Sequence, residues 1–437
     1  MSTTQDGLSG ARARFCTQFV QDVSEAVFSR GEAADNAAAF RFKRDRRIGS
    51  RDRRFLNNAL FAYFRWYGWL AKAGIARKMN LALSAAFAAE REGSGPAAAV
   101  AESAGIPEGK FAAAMKYASA SERVGAVLAA AGLGESFVFS PWEVIPEWAT
   151  ELLPEWVRRG DQLPISLQKR PPMWLRAQTD RIPELVNDLM KSGFSAERSA
   201  RIPNALKIAD ARGSLYSTPE FQKGLFEIQD FSSQCIGMAC MAHPGEHWWD
   251  VCAGGGGKTL QLASMMERRG SILATDIRAY KLEDLKRRAA RAAYPNIRCA
   301  EWNGETVPRG KIGEFDGVLI DAPCSSSGRW RRNPDGRWTS SLERVEELAG
   351  IQSRILECAS GAVKPGGVLV YATCSLFERE DEEIVRNFLR KHQEYELEPF
   401  PDPATGKMTD GMLRTLPWFA DCDASFVARM RSRASKG

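Results

Sequence analysis

The sequence predicts an α/β fold, a doubly wound parallel sheet, preceded by an all-helical region and a small α/β module. Three observations predict it. From about residue 231 onward, five β-rich apolar runs alternate with helical stretches. Residues 1 to about 140 are rich in alanine and poor in strand signatures, and a proline-rich passage lies between the two regions. The length of 437 residues, about three times the ~150 residues of an average domain, suits this division. The expected boundaries are 1–145 for the helical domain, 146–230 for linker and module, and 231–437 for the sheet domain.

The helical reading rests on Ala-rich stretches at 82–89 and 97–101 and on apolar residues at helical spacing, as in Leu56, Leu60, Phe61 and Phe64. Within it, RFKRDRRIGSRDRR (41–54) holds eight basic residues against Asp45 and Asp52, an excess equal to that of the whole chain. A solvated helix face usually balances its signs. The run, centred on Arg46, Arg47, Arg53 and Arg54, is therefore a candidate phosphate contact, with a purely structural face as the alternative. Pro141, Pro146, Pro154, Pro164, Pro171 and Pro172 then read as linker and turns. A strand at Trp174–Ala177 and a helix at Ile182–Ser192, with Pro183 suited to its first turn, make the module.

In the last region the expected strands are His247–Ala253, Ile272–Asp276, Ile297–Glu301, Gly317–Asp321 and Val368–Cys374. The helices between and after them are Thr259–Arg268, Ala279–Ala293, Leu342–Val363 and Glu380–Lys391, and two closing strands follow at Tyr395–Phe400 and Ala424–Met430. Hydrophobic residues at 44% and charged residues at 26% describe an ordinary globular chain. No run approaches the ~18 apolar residues of a membrane span, and the first 20 residues lack the apolar core of a signal peptide. Nine cysteines, none spaced as Cys-x-x-Cys, and three histidines point away from disulfides and zinc and toward free thiols in a reducing cytosol.

Ligands of open α/β sheets bind beyond the carboxyl ends of the strands. The first strand is followed by DVCAGGGGKT (250–259). A phosphate loop needs glycine where Cys252 stands, and a dinucleotide fingerprint fails at Thr259 or Leu260. What remains is a glycine loop that lets a ligand lie close to the main chain, or a tight turn with none. Asp276, at the end of the second strand, is placed to accept from ribose hydroxyls, so the two together suggest a nucleoside-bearing cofactor. Strands four and five end in DAPCSSSG (321–328) and TCS (373–375). Cys240, Cys252, Cys299 and Cys358 read as small core hydrophobes. Cys324 and Cys374 lie past the strands beside polar residues, where a thiolate acts as a nucleophile once its pKa is lowered.

With these segments in this order, the sequence resembles the RNA cytosine-5 methyltransferases of the RsmB/Nop2/Sun family. The carriers are DVCAGGGGKT (250–259), ATDI (274–277), DAPCSSSGRWRRNPDGRW (321–338) and YATCS (371–375). Upstream, FQKGLFEIQDFSSQ (221–234) matches the lead into the catalytic domain. FKRDRRIGSRDRRFLNNALFAYFRW (42–66) is similar to the NusB-like helical domain of the branch acting on 16S ribosomal RNA. The resemblance implies a class I, Rossmann-like methyltransferase domain using S-adenosylmethionine. It implies that Cys252, Ala253, Gly254, Gly255, Gly256, Gly257 and Lys258 contact the cofactor's amino-acid end, that Asp276 holds its ribose, and that Asn303 faces its adenine. It implies Cys374 as the nucleophile at C6 of cytosine, Asp321 as the group between cofactor and base, and Cys324 as the thiol that helps product leave. Arg329, Arg331 and Arg332 are candidates for phosphates beside a single-stranded or flipped-out cytosine.

Two positions depart from the family pattern. Gly255 stands where proline is usual, a change that costs roughly 0.4–1 kcal/mol of ordering entropy, and Asn303 stands where aspartate is usual. The expectation is thus a monomeric cytosolic enzyme, without metal or membrane, that methylates cytosine C5 in 16S ribosomal RNA. The competing readings are a non-catalytic RNA-binding assembly factor, which needs neither thiol, and an exocyclic-amine methyltransferase, which has an aromatic residue where Cys324 stands.

Overall fold

Small side chains let the N-terminal helices approach closely. The computed structural model describes residues 3–45, 48–134, 137–211 and 213–434, so Arg46 and Arg47 of the basic run lie outside the described residues. Packing divides the chain into two units, the first comprising residues 1–151, 155–170 and 330–341. In its helix Met79–Ala89 every residue from Ala82 to Ala89 is buried, among Phe19, Val23, Leu60, Phe64, Val100 and Val127 of the surrounding helices.

This unit runs past the expected boundary at 145, because the prolines read as linker start helices instead. Pro146 and Pro154 directly precede Glu147–Glu151 and Glu155–Arg158, and Pro164 lies in the first turn of Gln162–Leu167. Residues 330–341, expected within the sheet domain, also belong here. Arg337 is fully buried and donates from Nη1 to the carbonyls of Arg65 (3.3 Å) and Val144 (3.2 Å) and from Nη2 to those of Leu167 (2.9 Å) and Trp330 (3.0 Å). Burial pushes its pKa down to about 9. Asp335 accepts the Ala34 N–H at 2.9 Å, at the start of helix Ala34–Arg44.

The second unit comprises residues 152–154, 171–329 and 342–437. It opens with a small antiparallel sheet of β1 (Met173–Ala177), β2 (Phe194–Arg198), β3 (Ala205–Ala211) and β4 (Phe226–Ile228), in the order β2-β3-β1-β4. Leu185 and Leu189 of helix Ile182–Lys191 pack on Phe194, Leu206 and Phe226.

The main sheet holds β5 (His247–Asp250), β6 (Ser271–Asp276), β7 (Ile297–Glu301), β8 (Phe315–Asp321), β9 (Val363–Thr373), β10 (Tyr395–Leu397), β11 (Met412–Thr415) and β12 (Ser425–Ser432). Its order is β7-β6-β5-β8-β9-β12-β10, with β11 on β12. Strands β5 to β9 are parallel, and β12 is antiparallel to β9, so the doubly wound sheet is mixed at one side. Consecutive residues enter opposite cores: Trp248 and Leu319 join one cluster, Trp249, Val318 and Ile320 the other. Two covered faces explain why these strands read as continuous apolar runs. Strand β5 lies between β6 and β8, and where the strand order reverses in this way a crevice opens beyond the carboxyl ends. Among the described residues no helix is long and apolar enough to cross a membrane.

Candidate active site

The chain leaves β5 at Asp250 and turns into helix Gly257–Met265. Gly256 caps that helix at φ 87°, and a side chain there would meet Leu285 Cγ at 2.5 Å, so glycine is required twice over. Thr259 Oγ1 donates to Asp250 Oδ2 at 2.6 Å, whereas Asp250 Oδ1 is buried with no donor among the described residues. Burial raises the Asp250 pKa to about 7. The Gly254 N–H donates to Asp276 Oδ2 at 2.9 Å, and Arg278 donates to both oxygens of the same carboxylate. Burial raises the Asp276 pKa, but the Arg278 and Gly254 hydrogen bonds outweigh it, and the net shift is downward.

One cavity of about 1620 Å³ gathers Cys252, Ala253, Gly254, Gly255, Gly257, Lys258, Asp276, Asn303, Asp321, Cys324 and Cys374. Gly256 is not on its wall; its part is the turn. Asn303 is exposed and tied to Glu305, donating to its carboxylate (2.9 Å) and accepting its N–H (3.2 Å). The volume exceeds the ~300–1,000 Å³ of a single-ligand pocket, which leaves space for a second molecule beside the first. Lys258 Nζ reaches Asp321 Oδ2 at 2.7 Å. Burial opposes the Lys258 charge, but Asp321 more than offsets it, and the ammonium is held on.

The sulfur atoms of Cys324 and Cys374 are 3.3 Å apart. The bond from Cys324 lowers the Cys374 pKa against burial and the charge of Asp321, and Ser326 and Arg329 act in the same direction. Cys324 shifts upward, through its bond to Cys374 and through burial. The pair thus favours a Cys374 thiolate facing a protonated Cys324. Backbone contacts enforce the approach. The Gly328 N–H donates to the Cys374 carbonyl at 2.9 Å, and a Cβ at Gly328 would lie 2.3 Å from the Ala424 oxygen. Ser326 adopts φ 57°, a local strain of the kind that clusters at functional sites.

A buried carboxylate ties the two thiol loops together. Glu380 accepts from the Ser325 N–H (2.7 Å) and Ser325 Oγ (2.5 Å) after Cys324, and from Ser375 Oγ (2.5 Å) after Cys374. Gln352 Nε2 donates to it as well, at 3.1 Å. Glu380 was not legible as a site residue: it sits in the acidic stretch Glu378–Glu383, which reads as an ordinary helix start. Of the expected phosphate contacts, Arg329 is exposed. Arg331 must be withdrawn: it is 3% exposed and donates to the carbonyls of Lys169 (3.1 Å) and Arg170 (2.8 Å). Arg332 is half-buried. In the basic run Arg54 is exposed, while Arg53 is half-buried and donates to the Ile48 carbonyl at 2.9 Å.

The family model described as 16S rRNA methyltransferase RsmB/F matches residues 238–431. The probable ribosomal RNA small subunit methyltransferase B of Synechocystis sp. is 31% identical over 311 residues, 68% of either chain. That of Bacillus subtilis is 33% identical over 261 residues, and the alignment spans 57% of each chain. Among solved structures, the crystal structure of PH0851 superposes with a TM-score of 0.72 at 23% identity, over 97% of this chain and 98% of that one, a likeness of fold.

Proposed function

This chain belongs to the RsmB/F family of 16S ribosomal RNA methyltransferases, and from that membership we propose that it methylates C5 of a cytosine in 16S ribosomal RNA, with S-adenosylmethionine as donor and Cys374 as covalent nucleophile. The observation that carries the mechanism is the thiol pair, 3.3 Å apart on adjacent strand ends, in the same cavity as the Lys258–Asp321 pair.

The residues present fit the cofactor. The donor-less Oδ1 of Asp250 is a complement for an ammonium, such as that of the methionyl end. Asp276 accepts from the Gly254 N–H and from the backbone N–H, Nε and Nη2 of Arg278, so ribose hydroxyls would take the places of the Arg278 side-chain bonds, and the positive φ of Gly254 opens space beside the main chain. S-adenosylmethionine supplies an electrophilic methyl group on a sulfonium. The chain's own residues prepare the base. The Cys374 thiolate forms a bond to C6, Asp321 hydrogen-bonds the ring, and C5 gains the electron density with which it takes the methyl group. The C5 proton then passes to water or a base in the cavity, its electron pair restores the C5–C6 double bond, and the pair of the breaking Cys374–C6 bond returns to Cys374 as the thiolate, which the Cys324 thiol stabilises by its hydrogen bond. Arg329 and the exposed arginines of 41–54 serve the RNA backbone, the helical unit acts as an RNA-binding module, and the protein works in the cytosol as a monomer.

The test is to map 5-methylcytosine in 16S ribosomal RNA from cells with and without the gene, and to restore the mark in vitro with purified protein and S-adenosylmethionine. Loss of one or more sites is expected. An unchanged map, together with no methyl transfer to RNA from the deletion strain, would overturn the proposal.

A further inference from the structure

Four consecutive glycines, Gly254 to Gly257, give the cofactor loop more backbone freedom to lose than almost any other sequence. Gly256 and Gly254 hold positive φ values of 87° and 53°, and the loop's internal backbone bond is Gly256 N–H to the Ala253 carbonyl at 2.9 Å. Gly255 does not require a positive φ. It is held from outside: Arg288 Nη1 donates to its carbonyl oxygen.

Arg288 is itself fixed. Its Nε and Nη2 donate to one carboxylate oxygen of Glu227, at 3.1 and 2.9 Å. The other oxygen of Glu227 is taken by Arg291, and Glu227 is 1% exposed in β4. Arg288 stands one turn from Leu285, which closes the Gly256 turn, so one face of helix Ala279–Arg291 both packs against the loop and grips it.

We propose that Arg288, aimed by Glu227, is a positioning residue for the cofactor loop: it fixes the carbonyl of Gly255 before ligand arrives and so replaces the stiffness that four glycines lack. A guanidinium whose orientation is already set by a buried carboxylate loses little freedom on making this bond. The loop, which gains an anchor at its most flexible point, then has less order to acquire when it binds. This rests on reading the cavity as the S-adenosylmethionine site.

The experiment is a double-mutant cycle on the full chain, with S-adenosylmethionine affinity read by calorimetry in wild type, Arg288→Ala, Gly255→Pro and the double variant. Proline at 255 stiffens the loop from within, and that position needs neither a positive φ nor, among the described backbone bonds, its N–H. A Cβ there would lie 3.2 Å from Arg288 Nη1, so Gly255→Ala, which brings the same Cβ without the ring, goes through the cycle as well. An equally small Arg288→Ala effect in that background would mean displacement rather than rescue and overturn the inference. Arg288→Ala should weaken binding roughly 10-fold, and in the Gly255→Pro background the same change should cost about 3-fold or less. A merely structural arginine would not be rescued by a proline it does not replace. Wild-type affinity in Arg288→Ala, or an equal loss in both backgrounds, overturns the inference. If Arg288→Ala does not fold, Arg288→Lys, which keeps the charge beside Glu227 without a fork that spans both partners, goes through the same cycle and is read in the same way. Failure of the wild type to bind S-adenosylmethionine would instead sink the cofactor assignment itself.

Discussion

Cys324 and Cys374 meet sulfur to sulfur at 3.3 Å across fifty residues of sequence. The contact is made by the ends of the neighbouring parallel strands β8 and β9, and it makes the two thiols unequal: one is helped to lose its proton and the other to keep it.

That inequality predicts different failures. Cys374→Ala should abolish methyl transfer and form no adduct. Cys324→Ala should keep the nucleophile but stall product release, and so accumulate a covalent protein–RNA complex when RNA and S-adenosylmethionine are both present. A denaturing gel checks both. Trapping by Cys374→Ala instead would reverse the roles, and unchanged methylation in both variants would remove the thiols from the mechanism.

The pH dependence has a definite sign. The thiolate is the reactive form, and the folded-state pKa of Cys374 lies below the ordinary thiol value of 9.0. Alkylation of Cys374 by iodoacetamide should therefore stay fast as pH falls through 9 and slow only at lower pH. Cys324→Ala removes the first cause of the depression, so the midpoint should move up, with slower alkylation at neutral pH. Rate profiles that coincide would show that Cys324 does not stabilise the thiolate.

Glu380 should matter through geometry rather than contact with substrate. Glu380→Gln keeps one acceptor oxygen and sets an amide against the donors of Ser325 and Ser375. A displacement of about 1 Å between the thiol loops can cost roughly 100-fold in rate. The expected result is a kcat lowered by roughly 10- to 100-fold with RNA affinity within about 2-fold of wild type. Steady-state kinetics beside an RNA-binding titration would check it, and an unchanged kcat would make the carboxylate a packing element only.

For the basic run the relevant quantity is a slope. Arg51→Ala with Arg54→Ala removes two exposed charges and should reduce the slope of log affinity against log salt by up to about two. Equal slopes would assign this face to solvent.

The parallel core was legible in the sequence because both its faces are covered: side chains such as Trp248 and Trp249 can alternate in direction and still both be apolar. Strands β2, β3, β4 and β11 were not among those the sequence predicts. In Phe194–Arg198 only Phe194 is buried and Ala196 half-buried, an alternation too short to stand out in sequence, and the short Met412–Thr415 is defined by its pairing with β12 rather than by its composition. At the site, the loops and thiols could be found because their chemistry is local to a strand end. Glu380 and Arg288 act through partners 55 and 33 residues away, a relation no local pattern carries. Arg331 was misjudged for the same reason: a cation beside a catalytic loop looks free for phosphate until the carbonyls of Lys169 and Arg170 are seen to occupy it.

The chain visits its two units alternately: after the loop that follows β8 it contributes residues 330–341 to the helical unit and then returns to the second unit at residue 342. A single cut therefore cannot release either unit whole. A fragment ending at residue 170 lacks the buried Trp330 and Arg337, and one beginning at 171 carries them with no interior to enter. Dividing this chain into two separately produced halves therefore requires residues 330–341 to be grafted onto the first.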